Sequence, residues 1–231
     1  MKPYYETKLG KLYHGDCLEI MPQLGQMDLV VADPPYNFTT ASAGAGKLNP
    51  WADLCNAAYW FGAWQKMAMK RTETRQGALW NFCNWRTVPT ITKSIFDIGF
   101  QIESMLIWNK CWIGPGGPRG LRPSYEQVAL ICHNKFRIKN RSLYDIQEFP
   151  WSSHKPNNFN AEKPIDLIIW LITESSSMGA KILDPFSGAG TTGAACEKLG
   201  RYWVAIEISE VNCELSAKRI ENERKQLKLF R

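Results

Sequence analysis

Two short runs in this 231-residue chain carry the residue types that chemistry at a planar nitrogen needs. The first, Asp33-Pro34-Pro35-Tyr36, closes the apolar stretch Asp28-Leu29-Val30-Val31-Ala32. Two prolines after an acid hold the backbone extended and remove amide donors. Carbonyl oxygens are then left facing outward beside the Asp33 carboxylate. An amino group docked there would donate to Asp33 and to the Pro34 carbonyl, an arrangement that favours a tetrahedral nitrogen with its lone pair exposed. Tyr36 offers a flat face to a ring. Taken alone, the tetrapeptide also fits a rigid loop that does no more than close a strand.

The second run is Leu183-Asp184-Pro185-Phe186-Ser187-Gly188-Ala189-Gly190-Thr191-Thr192. A buried strand empties into a turn of small residues and a helix starts at once. Small side chains admit a ligand to the backbone, and the helix N-terminus offers unpaired amides. Such turns also occur merely to close a sharp bend. The next strand ends Val204-Ala205-Ile206-Glu207, which puts an acid about 20 residues past the first glycine, the spacing one βαβ unit imposes. From there a carboxylate accepts from both ribose hydroxyls of a nucleoside, so turn and acid together point to a nucleoside cofactor. The alternative for Glu207 is an exposed acid at a helix start, favoured by the helix dipole. A Walker phosphate loop is excluded, because no Gly-Lys-Ser/Thr follows the turn and Gly44-Ala45-Gly46-Lys47-Leu48 lacks both the first glycine and the hydroxyl. Gly193 is out of register for a dinucleotide fingerprint.

The elements that must position these runs alternate along the chain, as in an α/β domain. Strands are expected at Leu12–His14, Asp28–Ala32, Ala78–Phe82, Phe100–Trp108, Gln127–Cys132, Lys181–Leu183 and Tyr202–Ile206. Helices are expected at Cys17–Leu24, Trp51–Arg71, after the Ala78–Phe82 strand to near Ile98-Gly99, Pro164–Ser175, Thr191–Leu199 and over the C-terminal segment. Residues 37–50 read as a mobile loop able to close over a base, and Gly114–Gly120 as irregular structure. In the next segment Lys135, Arg137, Lys139 and Arg141 alternate with Phe136, Ile138 and Asn140. That alternation suits either a strand with one charged face or a substrate-recognition insertion.

Bulk composition bounds the setting. Hydrophobic residues are 45% and charged residues 22% of the chain, ordinary for one well-cored domain. No apolar stretch approaches a membrane span and the first residues lack a signal-peptide core, so the expectation is a soluble, cytoplasmic protein. The seven cysteines form no C-x-x-C pair and read as reduced, buried thiols. A net charge of +6 suits an anionic partner, and ten tryptophans serve mostly as core, with a few available to stack on bases.

The two runs together resemble the amino-methyltransferases of DNA. Their order, acceptor motif before cofactor motif with a recognition region between, resembles the β group of adenine methyltransferases within the N-4/N-6 family. The resemblance covers nearly the whole chain. It implies an α/β, Rossmann-like S-adenosylmethionine-dependent methyltransferase fold, circularly permuted, with a mixed seven-stranded sheet and helices on both faces. It further implies a single domain over 1–231 with a target-recognition insertion at about 110–160. Asp33, Pro34, Pro35 and Tyr36 would be catalytic. The cofactor would be held by Asp33, Asp184, Pro185, Phe186, Ser187, Gly188, Gly190, Thr191, Thr192, Glu207 and Ile208. Asp16 and Cys17 of Tyr13-His14-Gly15-Asp16-Cys17 would join them near its adenine, and Lys163 of Glu162-Lys163-Pro164 near its methionine carboxylate. Ile107-Trp108-Asn109-Lys110 stands where the family has a Trp-x-Lys strand end. Phe159-Asn160-Ala161 departs from the family's His-Pro-Thr. Asn37, Lys110, Arg119, Arg122, Lys135, Arg137, Lys139 and Arg141 are the candidate nucleic-acid contacts.

The reaction implied is methyl transfer from S-adenosylmethionine to the N6 amino group of adenine in double-stranded DNA, after the base is flipped out. The leading Asp favours adenine; cytosine N4 is the alternative, since those enzymes more often begin the motif with Ser. Relatives acting on RNA or protein glutamine carry Asn there and the opposite motif order. A non-catalytic DNA-binding subunit would have lost motif residues. A homodimer, a separately acting restriction endonuclease and a bacterial or phage origin are all compatible with the chain.

Overall fold

The computed structural model describes residues 1–35, 50–114, 118–151 and 162–229, with side chains described except at 50–57 and 227–229. Tyr36, Asn37, the loop expected after them as far as residue 49, and Phe159-Asn160-Ala161 lie outside the described residues.

The strands are β1 (Tyr5–Glu6), β2 (Gly10–His14), β3 (Leu29–Ala32), β4 (Ala78–Cys83), β5 (Ser104–Asn109), β6 (Tyr125–Cys132), β7 (Ile146–Glu148), β8 (Lys181–Asp184) and β9 (Tyr202–Glu207). The helices are α1 (Cys17–Ile20), continued by a 3-10 turn Met21–Gln23, α2 (Pro50–Thr72), α3 (Val88–Asp97), α4 (Ile165–Ser175), α5 (Thr191–Leu199) and α6 (Glu210–Leu229).

All nine strands form one sheet in the order β1-β2-β9-β8-β3-β4-β6-β5-β7. The expected count of seven is therefore corrected to nine among the described residues. The seven anticipated strands are present, and the very short β1 and β7 extend the two edges. From β2 to β4 neighbouring strands run parallel, while β6 runs antiparallel to both β4 and β5. Parallel strands bury both faces, and the side chains divide accordingly. Leu29 and Val31 of β3 join α4, α5 and α6 on one face, whereas Val30 and Ala32 join α1, α2 and α3 on the other.

Three local expectations fail for physical reasons. β5 begins at Ser104 rather than Phe100, because the Phe100 amide turns back to the Ile95 carbonyl and closes α3. The Lys135–Arg141 alternation is not a strand. Phe136 and Ile138 pack on the core, while the Lys139 amide donates to the Glu174 carbonyl at the end of α4. Nor are all the cysteines buried, since Cys111 is exposed in the turn after β5.

The topology fixes where the site must be. From β8 the chain crosses over through α5 on one face to β9, and from β3 it crosses through α2 on the other face to β4. The carboxyl ends of β8 and β3 therefore border the crevice where the winding reverses, the usual ligand position in open α/β sheets.

Candidate active site

Asp33 follows β3, Asp184 ends β8 and Glu207 ends β9, so the shared direction of the three strands delivers three carboxylates to one edge. They line a single cavity of about 670 Å³. Of the expected cofactor residues, Asp16, Cys17, Asp33, Lys163, Asp184, Pro185, Phe186, Ser187, Gly188, Thr191, Thr192, Glu207 and Ile208 line it, together with Pro34 and Pro35 of the acceptor run. Gly190 stands behind the wall as the N-cap of α5.

The glycine turn is held from several sides. The Asp184 carboxylate accepts the Phe186 amide at 2.9 Å, Ser187 N donates to the Ile206 carbonyl at 2.8 Å, and Gly190 N donates to the Ser187 carbonyl at 2.8 Å. Glu207 Oε2 accepts the Gly188 amide at 2.8 Å while Oε1 accepts Ser209 N at 2.9 Å. Glu207 thus braces the turn as well as facing the cavity. Asn212 Nδ2 also donates to Oε1 at 3.4 Å, so Oε2 keeps a lone pair for one further donor. Asp16 caps α1 by accepting Leu18 N at 2.8 Å.

Burial pushes the Asp184 carboxyl up to about 7, against the Thr192 hydroxyl and the Phe186 amide, and the Asp33 and Glu207 charges add to the rise. An acid raised in this way favours the folded state in its protonated form. That contribution is fully present below about 3.8 and is lost as pH rises through about 7. With Asp184→Asn, the melting midpoint is expected to lose this component, so wild type should fall relative to the variant between about pH 4 and pH 7 in thermal melts. Burial likewise pushes the Cys17 thiol up to about 12, with Asp16 contributing. A thiol of that kind is no nucleophile at neutral pH.

The acceptor side is more heavily charged than expected. Lys163 is 7% exposed and its Nζ lies 2.7 Å from Asp33 Oδ2. Glu126 Oε2 is 3.4 Å from the same Nζ, and Lys110 Nζ donates to Glu126 Oε1 at 2.5 Å. Burial raises the Asp33 carboxyl above the ordinary carboxylate range; Lys163 opposes the rise and Glu126 adds to it. Pro34 supplies no amide donor here and lines the same cavity.

Several site residues carried no usable sequence signal. Trp60 of α2 lines the cavity, its ring 5.6 Å from that of Phe186, and Trp64 meets the same Phe186 edge-on at 5.1 Å. Ser209 and Asn212 complete the wall beside Glu207. Arg219 of α6 donates to Thr191 Oγ1 at 2.9 Å and pairs with Glu162 Oε1 at 2.6 Å, tying the start of α5 to the segment before Lys163. Both partners of this pair are largely buried, so losing one removes a charge-assisted contact that water does not readily replace. Arg219→Met is expected to weaken cofactor binding about tenfold in titration calorimetry, with Arg219→Lys recovering part of the loss. Equal affinities would refute this tie.

The nucleic-acid candidates separate by position. Lys110 is committed to Glu126, and Arg122 donates to the Gly114 and Ile113 carbonyls. β6 runs away from the cavity edge, so Lys135, Arg137, Lys139 and Arg141, which follow its end, lie at the opposite end of the sheet from Asp33. There Arg137 donates to the Asn134 and Phe136 carbonyls and Lys139 Nζ to the Ser176 carbonyl. Arg119 is exposed on the connection between β5 and β6, at the cavity end.

A sequence model described as DNA methylase, for the N6/N4 methyltransferases, matches residues 27–218. The chain belongs to that family. Type II methyltransferase M.BamHI of Bacillus amyloliquefaciens is 30% identical over 272 residues, an alignment covering 100% of this chain and 61% of the relative. The chain therefore spans about three fifths of that relative's length. Among solved structures, the M1.HpyAVI–SAM complex superposes with a TM-score of 0.70 at 22% identity, covering 92% of this chain and 100% of its own. The PvuII DNA methyltransferase, described as cytosine-N4-specific, superposes with a TM-score of 0.74 at 19% identity, covering 98% and 95%. At those identities the two structures establish a shared fold. The family uses S-adenosylmethionine, and the donor set fits it. Three carboxylates around one cavity suit a cationic nucleoside, and the aromatic and proline wall suits its apolar parts.

Proposed function

We propose that this protein methylates the exocyclic N6 amino group of adenine in double-stranded DNA. The observation that carries the reading is that Asp33-Pro34-Pro35 and the glycine turn after Asp184 line one cavity at the winding reversal of the sheet. Bound there, S-adenosylmethionine supplies an electrophilic methyl group. The chain's own residues bind and orient. Asp33, in its ionised form, and the Pro34 carbonyl accept the two amino hydrogens, which frees the nitrogen lone pair for in-line attack. The N–CH3 bond forms as the S–CH3 bond breaks, and the extra proton on nitrogen leaves to solvent. Tyr36 belongs to this reading as the face on which the flipped base lies.

The DNA would meet the cavity edge. There the connections after β4, after β5 and before β6 expose Trp85, Trp112, Ile113 and Leu121, with Arg86 over the Trp85 ring at 4.9 Å and Arg119 nearby in sequence. Within the recognition insertion at about 110–160, Trp112, Ile113, Arg119 and Leu121 are favoured over the 133–141 segment, and Trp85 and Arg86 join them from the connection after β4. Action in a bacterial cytoplasm as part of a restriction–modification pair is consistent with the type II relatives.

Cytosine N4 is the second reading, favoured by the fold match to the cytosine-N4-specific PvuII enzyme. The two separate when DNA labelled from methyl-tritiated cofactor is digested to nucleosides. Label in N6-methyl-2′-deoxyadenosine is expected. Label in N4-methyl-2′-deoxycytidine would move the acceptor to cytosine, and unlabelled DNA would sink the proposal.

A further inference from the structure

Lys163 stands on the carboxylate that the incoming amino group needs. Its Nζ is 2.7 Å from Asp33 Oδ2, so the ammonium takes one lone pair of that carboxylate and draws charge from those the amino group would use. A carboxylate engaged by an ammonium is a weaker acceptor for a neutral amine, because the charge-assisted bond is the stronger of the two. The way out is already in place. Glu126 reaches across from β6, its Oε2 3.4 Å from the same Nζ. Its other oxygen takes Lys110 at 2.5 Å. The side-chain exposures are 8% for Lys163, 16% for Lys110 and 18% for Glu126, so an ammonium drawn off Asp33 stays largely out of water, where a nearby anion lowers its cost. With Glu126 present, Nζ needs only a few tenths of an ångström and a rotation of its flexible stem to keep a full ion pair.

We propose that Glu126 is a positioning residue for methyl transfer: it draws Lys163 off Asp33 as the acceptor amino group docks, and Lys110 limits how strongly it does so. This rests on the reading that the acceptor binds Asp33. The charged groups facing Asp33 are Lys163 ahead of α4, Glu126 on β6, Lys110 after β5 and Asp184 on β8. Glu126 raises the Asp33 carboxyl, whereas Lys163 and Lys110 lower it. The two outer members therefore move the acid limb of kcat/KM for DNA in opposite directions, since that limb reports ionisation of Asp33 in the free enzyme.

Glu126→Gln is expected to lower plateau kcat about tenfold while shifting the acid limb to lower pH. Binding of S-adenosylhomocysteine should be unchanged in calorimetry. Lys110→Met is expected to move the acid limb to higher pH. A Glu126→Gln enzyme with wild-type kcat overturns the proposal. So does one whose lost rate comes with a lowered melting point, weakened cofactor binding and an unmoved limb, which is the mark of a structural role. Should Glu126→Gln fail to fold, Lys110→Met decides alone, and a limb at or below the wild-type position overturns the idea. Wild type that transfers no label to DNA would take down the acceptor reading first; active wild type with inactive Asp33→Ala leaves Glu126 alone under test.

Discussion

Asp33→Ala is expected to lower kcat for DNA methylation by about a thousandfold, the scale seen when one preorganised hydrogen-bonding group at a reacting atom is removed. The Asp33 carboxylate is the charged acceptor at the carboxyl end of β3, and the Pro34 carbonyl alone cannot replace it. Cofactor binding should survive. Glu207 and Asp16 stand elsewhere in the cavity, and the glycine turn is braced by Glu207 rather than by Asp33. The freed Lys163 still has Glu126 at 3.4 Å, so the fold is not left with a lone buried ammonium. Single-turnover transfer of labelled methyl, alongside calorimetry with S-adenosylhomocysteine, separates the two quantities. A residual rate within tenfold of wild type would remove Asp33 from the chemistry.

Gly190→Ala is expected to be the most damaging small substitution in the cofactor turn. Gly190 has φ +79°, where a side chain is strained, and an added Cβ would lie 2.5 Å from Ser216 Oγ and 2.9 Å from the Ser216 Cα. The backbone strain costs on the order of 1 kcal/mol or more and the overpacking against α6 a further 1–3 kcal/mol. Because the contact includes backbone, rotating the serine side chain cannot relieve it. The turn must shift, and with it the Gly188 amide that Glu207 holds. Denaturant unfolding should show the stability loss, and cofactor affinity should drop at least about tenfold. Adding Ser216→Ala should return only the part due to Oγ. Full recovery in the double variant would show that φ strain at this position is unimportant.

Much of this was legible in the sequence, and the reasons are physical. The acceptor run and the glycine turn each end an apolar strand, and strands of like direction bring their ends to one edge. Both motifs could therefore be placed from local pattern alone. Helix α5 begins at Thr191 and ends at Leu199 as its flanking glycines demand, with Gly190 and Gly200 both left-handed. What local pattern could not show is what crosses the sheet. Glu126 is the one acid in β6, and its meaning appears only when β6 places it beside Lys163. Arg219 lies in a long charged helix where nothing distinguishes it from its neighbours until Glu162 and Thr191 are seen around it. The basic alternation at 135–141 misled for the complementary reason. Alternating charge says that one face is polar, but which end of the sheet it occupies follows only from the direction of β6.

The strand order also bears on how the protein comes to exist as it leaves the ribosome. β2, near the start of the chain, pairs with β9, near its end, and β3 pairs with β8. The Lys181 amide reaches the Asp28 carboxylate across 153 residues of sequence. Until β8 and β9 have been synthesised, β2 and β3 have no partners on that side, and the acceptor run faces no cofactor wall. Closure of such distant pairings is slow, and exposed strand edges in the meantime invite association with other chains. A polypeptide released early would therefore hold Asp33-Pro34-Pro35 without any means of using it. Methylating capacity should switch on only once translation has passed Glu207, as a single late event rather than by degrees.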